Sequence, residues 1–560
     1  MTQDPTQVLR TPFYFLLRLL TDKKSLEACL ITVIMIAVID WIFEAFVFSH
    51  YIQFLTTVLG MDRVVFENVD LGYVPVVWMI FLAFIIGTLV IVITFAAQNI
   101  PKLIDLYMEE WWSLFLIWFI IGGGIHMVVI KLFNEVEIYR DASVVLNIHL
   151  LSLTGMITFP YTFHVLKTTK TDNVINQLLR QNRTLVTQLA RSRSRNVMQS
   201  HREIDRIQQV LFEILNQLAD LLAYVPFKEP RANIIQGIGE LLSYYVACKA
   251  HIAPRFFRIT PGIQKDISFK TLKEQITDIE KAQTFYEQKG LRLIGETYLT
   301  FLETDQFDLS SLCAAQLGAI GTSAIQCKDH AMIELIMIRF NTHFRYALKH
   351  GQRYNEARNL FNLVFHYAQF IKVLVEAHSK EEVKTCFSYL RYYSEACYKA
   401  ALDSPQLAFI LDTIASDMVK LLMQIHQDNW ELALQEALLD DFLLLDNPSG
   451  IERKDLTAFF SSKSRIRVVQ IGLGLYYLKH HLEDFAMKVV NDTLQDLEMM
   501  EKSQFVKMMQ GVFAQLRFQS DTFWEDGDRG NINIYYSPHA DQIEKFEQIQ
   551  MEQLEHKLTA

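Results

Sequence analysis

The first third of the chain alternates long apolar stretches with short polar joints, and the remainder does not. Unbroken apolar runs fall at Leu26–Phe48, Val74–Ala97, Trp111–Phe133 and Val144–Leu166. Each holds about 23 residues, enough at about 1.5 Å per residue to cross a hydrocarbon core of about 30 Å. No comparable run follows Lys167. The pattern predicts a four-helix transmembrane region over 26–167. Segment 1–25 precedes it, and its Phe13–Leu20 stretch suits an interfacial entry helix.

Beyond the last apolar run the period shifts to that of amphipathic helices. Ile175, Leu178, Asn182, Leu185 and Leu189 recur at three and four residues, and Ile204, Ile207, Leu211, Ile214, Leu218 and Leu221 resume the spacing. This predicts a coiled-coil-like stalk over 168–230, with Asn182 where a polar residue fixes register, and self-association as one way to bury the seam. The same stripe equally suits packing within the chain. Pro226 and Pro230 end it. From 231 to 515 helical spacing continues, with breaks expected at Pro254–Pro261, Gly351, Pro405 and Pro448–Gly450. The last segment, 516–560, reads as a turn and a helix. Strand alternation is confined to Asn531–Tyr536. The fold class is therefore all-α: membrane helices, a helical stalk, and an α-solenoid-like or helical-bundle domain.

Four stretches within that domain share a pattern. Leu473-Gly474-x2-Tyr477 is followed by Ala486-x3-Val490; Tyr354-x2-Ala357-x3-Phe361 matches the second part alone; Trp430-x2-Ala433-x3-Ala437 and Tyr393-x2-Ala396-x3-Ala400 echo it. This resembles the tetratricopeptide repeat, in which a small Gly and Ala let two helices pack closely. The closing Pro of that repeat is missing from all four stretches, and their spacing departs from about 34 residues. The resemblance covers about a quarter of the chain. It implies Tyr354, Ala357 and Phe361 on a second helix of a pair, and a surface that binds protein without catalysis.

Composition changes the picture in two ways. A mean hydropathy of +0.14 is an average over two unlike parts. The net charge of −10 divides evenly, since residues 1–167 carry 9 Lys+Arg and 14 Asp+Glu. That balance argues against a general nucleic-acid binder. The six Cys, at 29, 248, 313, 327, 386 and 397, form no CxxC or disulfide-like spacing and read as reduced structural thiols. Arg10, Arg18, Lys23 and Lys24 precede the first run, while Lys167, Lys170, Arg180 and Arg183 follow the last. The positive-inside bias then places both termini in the cytoplasm, as in a bacterial inner membrane.

Polar residues inside the runs are the sharpest functional lead. Asp40, His126 and His149 fall at one depth, roughly 21–25 Å from the cytoplasmic edge, with Glu44 one turn beyond Asp40. An ionised Asp there costs about 2.5–3.5 kcal/mol and needs a partner or water. The set suits a proton relay or cation site, or independent interhelical hydrogen bonds. Gly122, Gly123 and Gly124 suit close helix packing or a flexible break. Thr154 and Thr158 recur at four residues, for packing or a pore lining. Enzyme motifs are absent, so no catalytic residue, metal or cofactor is assigned. Asp526–Asn531 reads as a surface turn rather than a calcium loop, and Trp524, Tyr535 and Tyr536 as anchors for the tail. The leading expectation is a non-enzymatic scaffold or sensor in the bilayer with a cytoplasmic protein partner. The rival is a homo-oligomeric channel or ion-coupled transporter with a cytoplasmic gating domain.

Overall fold

A computed structural model describes residues 23–58, 73–99, 111–134, 141–168, 170–194, 201–446, 466–498, 500–522 and 533–559. Among them every regular element is a helix. Asn533–Tyr536 forms turns, so the described part of the strand-like Asn531–Tyr536 stretch is not extended. The Phe13–Leu20 segment, Trp524 and the Asp526–Asn531 turn lie outside the described residues. Contacts divide the chain into two units, Met1–Leu178 with Gln217–Pro226, and Leu179–Asn216 with Phe227–Ala560.

The first unit holds four helices long and apolar enough to cross a membrane, and they mark the chain as a membrane protein. Helix α1 (Lys23–Ile42) passes through a π-helical turn, Phe43–Val47, into α2 (Phe48–Val58). The first candidate span is thus Ser25–Val58, 34 residues, and extends past the apolar run that ends at Phe48. No Gly or Pro falls between Phe48 and Gly60, so nothing in the sequence stops the helix at Phe48. Helices α3 (Val74–Asn99), α4 (Trp111–Asn134) and α5 (Asp141–Thr168, with Pro160 inside) follow. Helix α4 packs against α1, α3 and α5. Trp78, Ile85, Leu89, Met127 and Ile130 are buried between them. Trp41, Met79, Ile125, Met156 and Phe163 point outward, the last two more than 70% exposed at 76% and 72%. An apolar exterior of this extent suits lipid rather than water.

Helices α6 (Thr171–Ser194) and α7 (His201–Tyr224) carry the segment expected to form a stalk, and residues 179–216 of it belong to the second unit. Their seam is buried inside the chain. Tyr286 donates its hydroxyl to Asn182 Oδ1 at 3.0 Å, Leu179 covers Gly237, and the Arg183 guanidinium lies 4.6 Å from the Tyr244 ring centroid. On α7, Gln208 Nε2 donates to the carbonyls of Phe256 and Arg258 at 2.7 and 2.8 Å. Residues 179–216 therefore cluster with the helical body, and Asn182 is used within it.

The body follows as α8 (Lys228–Lys249), α9 (Phe285–Glu303), α10 (Phe307–Gln326), α11 (His330–Tyr354), α12 (Arg358–Glu376), α13 (Lys380–Ala401), α14 (Ala408–Gln427), α15 (Leu432–Leu443), α16 (Ile466–Lys479) and α17 (Glu483–Thr493). Then come α18 (Lys502–Phe518) and α19 (Ile543–Thr559). Pro254, Pro261 and Pro405 each open a short turn, as expected of a residue without an N–H. Gly351 does not break the chain. It lies inside α11, which ends at Tyr354 on a left-handed Asn355 with φ 50°. Left-handed residues also close the turns at Asp305, Lys328, His378, Asn429 and His481.

Alternate helices touch. One row runs α8, α10, α12, α14, α16, and the other α9, α11, α13, α15, α17. Side-chain bonds across neighbouring helix pairs repeat at a near-constant separation: 49 residues for Ser310–Asn359, 50 for Arg358–Asp308, 51 for Lys380–Glu431, and 52 for Tyr393–Asn341 and Trp430–His378. Each pair of helices with its turns therefore occupies about 50 residues, longer than the roughly 34 of a tetratricopeptide unit.

Candidate functional site

Polar groups from all four apolar helices meet in the first unit. Trp78 on α3 donates its indole N–H to Asn147 Oδ1 on α5 at 2.9 Å. The Asn147 amide nitrogen faces the Gly123 carbonyl and His126 Nδ1 on α4, both at 3.3 Å. His126 Nε2 lies 3.7 Å from Asp40 Oδ2 on α1, and Ser143, four residues before Asn147, donates to the same oxygen at 3.0 Å. Asp40 and His126 side chains keep 16% and 14% exposure. Asp40 Oδ1 is buried without a hydrogen-bond partner.

The glycine triplet makes this arrangement possible. A Cβ on Gly123 would lie 2.5 Å from the Trp78 ring, and one on Gly122 2.9 Å from Ile36. Gly124 borders Trp78 at an ordinary 3.4 Å. Without a side chain at Gly123, α4 accepts the indole against its backbone, so the ring reaches across to Asn147, while Gly122 leaves room for Ile36 of α1.

Sequence reasoning placed Asp40, His126 and His149 at one depth; the structure joins only the first two. His149 points away and bonds Tyr51 on α2 through Nε2 at 2.7 Å. Glu44 falls in the π-helical turn, where the i→i+5 pattern alters the face an α-helix would present. Thr154 and Thr158 are buried, and their hydroxyls donate to the carbonyls of Leu150 and Thr154 at 2.7 Å. Both bonds run back within the one helix. Asn147, Ser143 and Trp78 escaped notice because none is ionisable. The i, i+4 spacing of Ser143 and Asn147 at the start of the last apolar run was the available signal.

In the helical body, Leu473, Gly474 and Tyr477 lie on α16 and Ala486 on α17, joined by the turn at His480–His481. A Cβ on Gly474 would meet Phe546 of α19 at 2.6 Å and Val489 of α17 at 3.3 Å. Small size here admits both neighbouring helices. The expected second helix at Tyr354, Ala357 and Phe361 is corrected: Tyr354 ends α11, Ala357 caps α12, and only Phe361 lies within α12. The left-handed Asn355 between them turns the chain. Tyr393, Ala396 and Ala400 share α13, while Trp430 precedes α15. Tyr535 does anchor the tail, donating its hydroxyl to Asp412 Oδ2 at 2.8 Å.

Ionisable groups are also buried in the body. Lys249 Nζ sits 2.8 Å from Glu287 Oε1 and 2.7 Å from Asp329 Oδ2. Burial pushes the Glu287 carboxyl up to about 7, against the downward pull of Lys249. Burial pulls Lys249 down, but the two carboxylates together carry it above its usual value. Arg467 spans Asp492 and Asp496, meeting both oxygens of Asp496 at 3.0 and 2.7 Å. Among the described residues no group of three His, Cys, Asp or Glu side chains is arranged to hold a metal ion. No protein family, curated protein or solved structure matches this chain.

Proposed function

We propose that the protein is a membrane-anchored scaffold: the four apolar helices hold it in the bilayer, and the helical body serves as a solenoid-like platform for a protein partner. The observation that carries this reading is the double row of helices linked at about 50-residue intervals. A stack whose units contact mainly their neighbours forms an extended surface suited to binding protein. Basic residues flanking the first and last apolar runs support a cytoplasmic body, as in a bacterial inner membrane.

Exposed apolar residues recur along one row: Ile338 on α11, Tyr392 on α13 and Leu432 on α15, at 48%, 62% and 61% exposure. Photo-crosslinkers at these positions in the full-length membrane protein test the reading. One protein trapped from at least two of the three positions is expected. Absence of any protein adduct from all three would overturn it.

A second reading, an ion- or proton-coupled role of the spans, is favoured by the approach of Asp40 to His126. Purified protein in liposomes should then pass protons or cations, and Asp40→Asn should alter the flux without loss of folding. A native protein that passes nothing removes this reading.

A further inference from the structure

We infer that the corner joining α7 to α8, with Tyr224 and Phe227 at its tip, enters the headgroup layer of the bilayer and attaches the chain to lipid beside the spans. The inference rests on the spans lying in a membrane and is independent of any protein partner.

The chain itself brings this corner to the membrane. Helix α5 ends at Thr168 and α6 begins at Thr171. The part of α6 that clusters with the spans stops at Leu178, about 12 Å along the helix at about 1.5 Å per residue. Gln217–Pro226 cluster with the same unit, so the end of α7 has returned to within that reach of the spans. Phe227 follows Pro226 by one peptide bond. The polar layer on each side of the hydrocarbon core is about 5–8 Å thick, and interfacial apolar groups sink about 5–10 Å into it.

The side chains at the corner have no other use. Leu218, Leu221, Leu222 and Val225 form the buried face of this end of α7. Tyr224 and Phe227 do not join them and are 48% and 71% exposed. Phe227 is also the N-cap of α8, extended and without a side-chain cap bond. Ser, Thr, Asp and Asn serve that position because their oxygens accept from first-turn N–H groups, which a phenyl ring cannot do. The ring therefore helps neither the core nor the helix start. The boundary between headgroups and acyl chains suits both rings, the phenol of Tyr224 having an apolar body and a polar tip.

Charge does not select the lipid. Of the flanking residues Lys167, Lys170 and Lys228 are exposed, and so are Asp172 and Glu229. Lys228 already faces Asp308 at 3.7 Å. So even a balance gives little pull on an anionic headgroup. Attachment by the two rings fits a zwitterionic phospholipid.

A benzophenone amino acid placed singly at Phe227, Tyr224, Phe163 and Arg206 of the full-length protein tests this in phosphatidylcholine nanodiscs. Mass spectrometry reads the lipid adducts. Phe163 points outward from α5 and reports lipid contact of the spans. Arg206 is exposed on α7, 18 residues before Tyr224, about 27 Å along the helix, and serves as the reference without contact. Expected are lipid adducts at Phe163, Phe227 and Tyr224 several-fold above Arg206, unchanged when anionic phosphatidylglycerol is mixed in. Adducts at Phe163 with Phe227 no higher than Arg206 would overturn the inference and leave the spans in place; a protein adduct at Phe227 instead of lipid would do the same. Phe227 adducts that need phosphatidylglycerol would overturn its apolar basis. No lipid adduct at any position would remove the membrane placement and the inference with it. Both rings are exposed, so the probe exchanges one ring for another, and Tyr224 decides the outcome by the same criteria where the Phe227 variant fails to fold.

Discussion

Glu287 on α9 and Lys249 on α8 meet at 2.8 Å, although the carboxyl side chain is completely buried. Lys249 also holds Asp329, which caps the start of α11 by accepting from Met332 N. One ammonium therefore ties three helix segments together, and its two acids differ in environment: Asp329 keeps 16% side-chain exposure and Glu287 none.

That difference predicts a pH dependence. The folded state raises the Glu287 carboxyl from 4.5 to about 7 and so binds the proton more tightly than the unfolded chain. Its contribution is fully present below the unfolded value and is lost as pH rises through about 7. The magnitude is on the order of 3 kcal/mol. Glu287→Gln leaves Lys249 paired with Asp329, so it should flatten the fall in thermal stability of the body between about pH 5 and 7. Parallel stability curves for the two proteins would refute the assignment.

Gly123→Ala should loosen the membrane bundle. Its Cβ would stand 2.5 Å from an indole that is tied to Asn147 and cannot retreat freely. A cost of about 1–3 kcal/mol is expected in detergent unfolding. Gly87→Ala is the control: nothing lies within 4 Å of its Cβ position. Equal effects at the two sites would remove the packing argument.

Arg467→Met would take the guanidinium away from Asp492 and Asp496, which are buried at 8% and 3% exposure. Removing one partner of such a set costs about 3–5 kcal/mol. Thermal unfolding of the body should show the loss. Arg467→Lys should recover only part, because an ammonium cannot meet both oxygens of Asp496 as the guanidinium does.

Gly474→Ala should act at a distance from its own helix. The added methyl meets Phe546, so α19 is expected to exchange amide hydrogens faster and to be cut sooner by protease. Gly511→Ala, with open space around it, should leave α19 as it is. Protection of α19 unchanged in Gly474→Ala would show that the contact does not hold the tail.

Much of the architecture is legible in the chain because it depends on local pattern. Runs of about 23 apolar residues commit to spanning helices by length alone, and spacing at three and four residues commits 231–515 to helices. The helix boundaries were less legible. Asn355 rather than Gly351 ends α11, because the position that adopts positive φ depends on how the next helix packs. The about 50-residue period also escaped notice, since it is carried by contacts between pairs and not by repeated residue types.

For the site, residue chemistry and length were enough to single out Asp40 and His126: ionisable groups in apolar runs stand out wherever they occur. Only the tertiary structure decided that Asn147 and Trp78 join them and that His149 does not. Depth along a helix can be counted from sequence, but the direction a side chain faces depends on how the helices rotate against one another. Here Gly123 admits the Trp78 ring, that contact orients the Asn147 amide, and the amide sets which nitrogen of His126 faces Asp40.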